Sequence, residues 1–534
     1  MSVQFGSIPL LLFGLWLTAT NWSLALGQES LHVRIDQLIS QRTGGSVSER
    51  SSDPEFLRRI YLDLSGHLPT ATEARAFFED STPDKRQLLI ERLLADDRYA
   101  LRMTDAFNIM LIERRSKHEE WFKYLRSSFS SNKPWDAMVR EILSPDAESE
   151  VDRGSAFFYT SRLEHYGQNP PDVPGLVRDV GRMFLGLDVQ CAQCHDHLFV
   201  DDYKQVDYQG LYAFIANTLL RQDVKFPAVG ENPLLKKVAF KSVFGGEEKM
   251  TGPRLPFGSE IEIPDQKKGE EYSVPPDKKT RSPGVLKFSP IRVLSESITR
   301  SDKPEFSRNI VNRLWWMMMG RGLVDPLDLH HSGNPASHPE LLDLLAREMV
   351  EHKFDIKWML RELALSKTYQ RSCIQPADAI DSPFPTSYRT ALERPLSAEQ
   401  WFTILREATG EKTTEAKTLA DWKDRFDKVF ANPPKEPEIN VAPTVKAALF
   451  LSNDRVVLSW FEPQDENLVD RLANMDDQAA MIDEAYLSFL TRIPTDEERT
   501  DVERFLKQFT GPREKAIGQM IWALAASTEF FVNH

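Results

Sequence analysis

Cysteine is nearly absent: Cys191, Cys194 and Cys373 are the only three in 534 residues. That excludes a disulfide scaffold, so a large apolar core must supply the stability, and 41% hydrophobic residues are enough to build one. Basic charge is scarce as well. With 66 Lys and Arg against 80 Asp and Glu the net charge is −14, and no segregated basic patch is visible, which argues against a nucleic-acid partner. No later segment reaches the roughly 18 apolar residues of a membrane span, so the mature chain is expected to have no transmembrane span. The chain also lacks a G-x-S-x-G elbow, a P-loop, a Rossmann glycine fingerprint and an H-E-x-x-H pair. The common hydrolase and nucleotide-binding readings lose their usual support.

What is present begins at the N-terminus. Residues 1–27 carry no charged side chain, Ile8 to Leu17 is a short apolar run, and the small residues Ala25 and Gly27 precede Gln28. This pattern predicts a signal peptide over 1–27 and export to the periplasm or cell exterior, with a retained N-terminal anchor as the alternative. Residues 28–50 read as a flexible segment. From Ser51 the signals are helical: Asp53 reads as an N-cap, Pro54 as the first helical position, and Phe56, Leu57, Ile60, Tyr61 and Leu64 share a face. Thr70 with Glu73, Ser337 with Glu340, Ser397 with Gln400 and Thr495 with Glu498 fit the capping-box pattern.

The expected fold is therefore mainly α: a helical domain over 51–220 and another over 291–534. Between them lies a Pro-rich, β-containing insertion over 221–290, with nine prolines from Phe226 to Pro290. Ala431 to Pro443 reads as a surface loop. A weak repeat closes three helices on a small or polar turn and an aromatic, at Tyr99, Tyr369 and Phe530. Common helix grammar explains it better than duplication does.

The sharpest chemical signal is Cys191-Ala-Gln-Cys194-His195-Asp196-His197. In C-x-x-C-H spacing two thiols can add to the vinyl groups of one haem while the adjacent histidine binds its iron. Two rivals stand beside c-type haem. The pair can close as a disulfide or act as a thiol redox centre. Alternatively Cys191 and Cys194 with His195 or His197, and a carboxylate such as Asp201 or Asp202 or a distant His, can hold Zn²⁺. For a second haem ligand the sequence offers Met183, Met317 to Met319, His165, His330, His331 and His338 without deciding among them. A second constellation, Asn309, Asn312 and Arg313 on one helix face followed by Arg321 and Asp325, is either a polar site or a buried network tying the helix to the Asp325/Asp328 loop.

Three segments carry a resemblance to a known family: Phe56 to Gly66, Pro83 to Tyr99, and Phe184 to His197. They resemble the second planctomycete cytochrome-type domain of unknown function. Asn309 to Trp315, Gly320 to Asp325, Asn334 to Leu342, Ser366 to Gln370 and Glu529 to His534 resemble its usual C-terminal partner domain. The family continues the motif as His-Asp-His-Pro-Phe, whereas Leu198 stands here in the proline's place. The resemblance implies an exported protein of a planctomycete-like bacterium with a cytochrome-like C-x-x-C-H region.

The leading expectation is an extracytoplasmic cytochrome-like redox protein with a redox partner. A structural or interaction protein stapled by zinc or a disulfide is the alternative, and an extracellular glycan-related hydrolase the third. Cys373 is expected to be free and mostly buried, near the end of a helix from Trp358 to Tyr369.

Overall fold

A computed structural model describes residues 29–42, 44–164, 171–376, 384–437 and 445–534. The signal-peptide reading, His165 and the end of the Ala431–Pro443 loop lie outside them. The fold is mainly α, with only short two-stranded sheets among the described residues. No described helix is long and apolar enough to cross a membrane.

Polar caps set several helix starts. Thr70, Ser397 and Thr495 form complete capping boxes with Glu73, Gln400 and Glu498. Two expected starts move. The first 51–220 helix runs Asp53–Leu64, and its cap is Ser52, whose hydroxyl accepts from Glu55 N. Ser337 and Glu340 form no box, because the next helix begins at Pro339 with His338 as its cap residue. Residues 28–50 are not simply flexible: Leu31–Arg42 is a helix that buries Leu31, Ile35 and Ile39. Their i, i+4, i+8 spacing supplies the apolar stripe. Asp36 fixes the helix further by accepting from the backbone N–H groups of Lys367 at 2.8 Å and Thr368 at 2.9 Å.

The three repeated helix ends share a local device. A polar residue follows each helix, and three positions later a side chain enters the core: Asp96 and Tyr99, Ser366 and Tyr369, Ser527 and Phe530. In the last two the hydroxyl accepts from the aromatic residue's own N–H, at 3.1 and 3.3 Å.

The insertion forms three antiparallel hairpins: Thr218–Leu220 with Val229–Glu231, Val238–Phe240 with Lys249–Thr251, and Tyr272–Val274 with Val285–Leu286. The apolar core does not part at this insertion. One buried cluster runs from Leu31 to Tyr388, continues past the hairpins and also takes in Leu487. A second gathers residues from Leu396 to Phe530 with Leu62 and Leu68 of the N-terminal region.

Candidate functional site

The motif sits where a helix changes pitch. Val173–Val180 is α-helical and continues as a π-turn over Gly181–Leu185, a form often found where a helix serves a site. Gly186 ends it at φ 72°, and a Cβ there would come within 2.8 Å of the His330 ring, so glycine fits on both counts. The chain then forms a 3₁₀ turn at Cys191–Gln193. Cys191 and Cys194 are exposed and unbridged.

Two neighbours hold this turn. From the Gln205–Ile215 helix, Gln209 Nε2 donates to Gln193 O at 3.1 Å, and Gln205 N donates to Asp196 Oδ1 at 2.8 Å. From beyond the Val238–Phe240 strand, Val243 N donates to Cys194 O at 3.1 Å. The His195 ring lies 4.7 Å from that of Phe244. Leu198, Phe199, Val243 and Phe244 are all strongly exposed, Phe199 at 91%.

The histidines differ in their bonding. His195 Nδ1 lies 2.7 Å from Asp196 O, an acceptor only, so Nδ1 carries the proton and Nε2 of the neutral ring keeps its lone pair. His197 Nδ1 accepts from Phe199 N at 3.2 Å and Val200 N at 2.9 Å, which commits its lone pair to the loop. Of the carboxylates weighed for zinc, Asp202 accepts from Ser332 N and Oγ, while Asp201 is exposed. Among the described residues no three His, Cys, Asp or Glu side chains are arranged to hold a metal ion.

The axial-ligand candidates lie elsewhere in the fold. Met183, Met318 and Met319 are core residues, and Met183 Sδ lies 3.6 Å from Arg162 Nη2. Met317 is partly buried beside that core. Burial holds His330 and His338 at about 4, so both rings are neutral near pH 7. His331 stacks edge-on against Tyr203 at 5.5 Å.

The second constellation is a buried network. Asn309 Nδ2 donates to Met183 O at 2.7 Å, and Asn312 both donates to and accepts from Val324. Arg313 donates to Arg182 O at 2.8 Å and pairs with Asp328. Arg321 and Asp325 stand apart as a partly exposed pair at 2.7 Å. Sequence reasoning missed what lies behind this network: Asp179, buried and paired with Arg162 at 2.7 Å, Arg115 at 2.9 Å and Arg182 at 2.9 Å. Burial alone would raise the Asp179 carboxyl, but the three arginines outweigh it and hold it at about 2. Arg182 stands three residues on along the same helical run, but Arg115 and Arg162 come from separate segments that no local spacing announces. Phe244 was missed for the same reason.

No curated protein and no solved structure matches the chain. Residues 34–219 match the PSCyt2 family and residues 292–420 the PSD1 family, each described as a protein of unknown function, DUF1549 and DUF1553 respectively. Along the chain a segment that matches DUF1549 is thus followed by one that matches DUF1553.

Proposed function

We propose that the chain is an exported, cytochrome-like redox protein in which Cys191, Cys194 and His195 would hold a c-type haem. The observation that carries this reading is the state of the motif: two exposed, unbridged thiols on one turn beside a histidine whose Nε2 is left open. Cys191 and Cys194 would hold the group covalently, and it would supply one-electron transfer when bound. The Asp196 carbonyl orients His195, the commonest way a protein fixes which imidazole nitrogen is offered. Gln205, Gln209 and Val243 hold the turn in place from outside. Exposed Leu198, Phe199 and Phe244 supply apolar surface beside the motif. The electrons would pass to or from an extracytoplasmic redox partner.

The test is a Cys191→Ser/Cys194→Ser double variant, produced with wild type in a host competent in covalent haem attachment. Wild type should keep a peroxidase stain on a denaturing gel and the double variant should lose it. Equal staining of the two would contradict the reading.

A further inference from the structure

A cavity of about 160 Å³ lies between the Asp97–Ile112 helix, the π-turn, the Pro304–Met319 helix and the Arg394–Gln400 segment. A cavity of about this size accepts a benzene ring. Its apolar walls include Ile109, Met110, Trp316, Met317, Leu327 and Leu396. Four arginines also reach it, Arg102, Arg182, Arg313 and Arg394, against three carboxylates, Asp63, Glu113 and Asp328.

Three of the arginines are matched. Arg394 pairs with Asp63 at 2.7 Å, Arg182 with Glu113 at 2.7 Å, and Arg313 with Asp328. Arg102 is left over. Among the described residues its side chain forms no hydrogen bond or ion pair, and its Nε is buried without a partner. Its stem is packed against the turn at Gly66, where a Cβ would stand 3.0 Å from Arg102 Cδ. Asp63, Asp105 and Glu399 act on it only without direct contact, so a guanidinium with no hydrogen-bond partner in such surroundings is costly, and an anion relieves the cost. Arg102 also walls a neighbouring cavity, but there Asp105, Glu399 and Glu407 outnumber Arg102 and Arg406, so that lining suits an anion less well.

We infer that the first cavity binds a small, largely apolar monocarboxylate of about benzoate's size, its carboxylate paired with Arg102 and its body against Met110 and Trp316. Among the lining side chains arginines exceed carboxylates by one, which favours a monoanion, since a second negative charge would face Asp63 and Glu113. The site shares no residue with the cysteine motif. It takes Arg102 and Arg182 from the DUF1549 segment and Arg313 and Arg394 from the DUF1553 segment, so an occupant would bridge the two.

The experiment is calorimetric titration of the full chain with sodium benzoate and with uncharged benzyl alcohol, for wild type, Arg102→Met and Ala106→Phe. Wild type should bind benzoate one to one and benzyl alcohol about tenfold more weakly or worse, as expected for loss of a charge-assisted bond. Arg102→Met should lose that preference and keep benzyl alcohol binding, and Ala106→Phe, which fills the cavity, should bind neither. The inference is overturned by absence of benzoate binding at millimolar concentration, by benzoate binding of Arg102→Met at wild-type strength, or by undiminished binding in Ala106→Phe. Should Arg102→Met fail to fold, equal affinity of wild type for the two ligands overturns it just as well.

Discussion

Asp179 and His338 show how single buried groups tie this fold to pH. Asp179 is depressed to about 2 by its three arginines, against about 4 when unfolded. Its contribution of about 2 kcal/mol is present above the unfolded value and lost as pH falls toward the folded one. His338, 3% exposed, is held at about 4 by burial and then by Arg42. As its folded value is also depressed, its stabilisation is complete above about 6.5 and is lost between there and about 4. Urea unfolding should therefore show falling stability from pH 7 to 4, and His338→Gln should flatten that slope; an unchanged slope would refute the assignment. Asp179→Asn takes from Arg162 its carboxylate and leaves Arg115 and Arg182 to Glu113 and Asp328, and should cost about 3 kcal/mol or more at pH 7, measured in the same way.

At the scale of elements, the Gln205–Ile215 helix connects the motif to the hairpins. Gly210 lies against Arg254, where an added Cβ would stand 2.0 Å from Cγ and 2.8 Å from the carbonyl oxygen. In an open helix Gly→Ala stabilises by about 1 kcal/mol. Here the steric conflict should reverse the sign, so that Gly210→Ala costs about 1–3 kcal/mol in thermal unfolding and speeds proteolysis within residues 221–290. Helices were legible where caps and apolar periodicity agree, as at Thr70, Ser397 and Thr495. They were illegible where tertiary packing decides. Ser337 has the box spacing, but Pro339 starts the helix and His338 turns inward beside Tyr388, 5.6 Å away. The helix expected from Trp358 to Tyr369 runs Ile356–Leu365, because Ser366 ends it. Cys373 is unbridged as expected, yet only half-buried, with its thiol pushed up to about 12 by burial and by Glu55. It should react slowly with a thiol reagent at neutral pH, far behind Cys191 and Cys194 when these are free.

Over the whole molecule, the Asp53–Leu64 helix serves both cores. Its Leu57 and Ile60 belong to the first cluster and Leu62 to the second. Arg58, buried, donates from Nη1 to Phe489 O and from Nη2 to Phe530 O, each at 3.0 Å, tying the helix to the C-terminal region. The cores should consequently unfold together. Leu62→Ala is expected to lower one shared calorimetric transition by about 2–5 kcal/mol, and two resolved transitions of which only one moves would contradict the coupling. The division into two helical regions around a Pro-rich insertion could be read from composition, but the route of the core across that insertion could not. Likewise the cysteine motif is visible as a string of letters, whereas the Arg102 cavity is assembled from side chains far apart in sequence and leaves no local pattern.

What the cysteine pair carries is read from the intact mass of the exported, denatured protein. With haem held on Cys191 and Cys194 that mass is the chain plus one haem. A mass equal to the bare chain, or one short by a pair of hydrogens as a Cys191–Cys194 disulfide would leave it, means that the pair carries no haem.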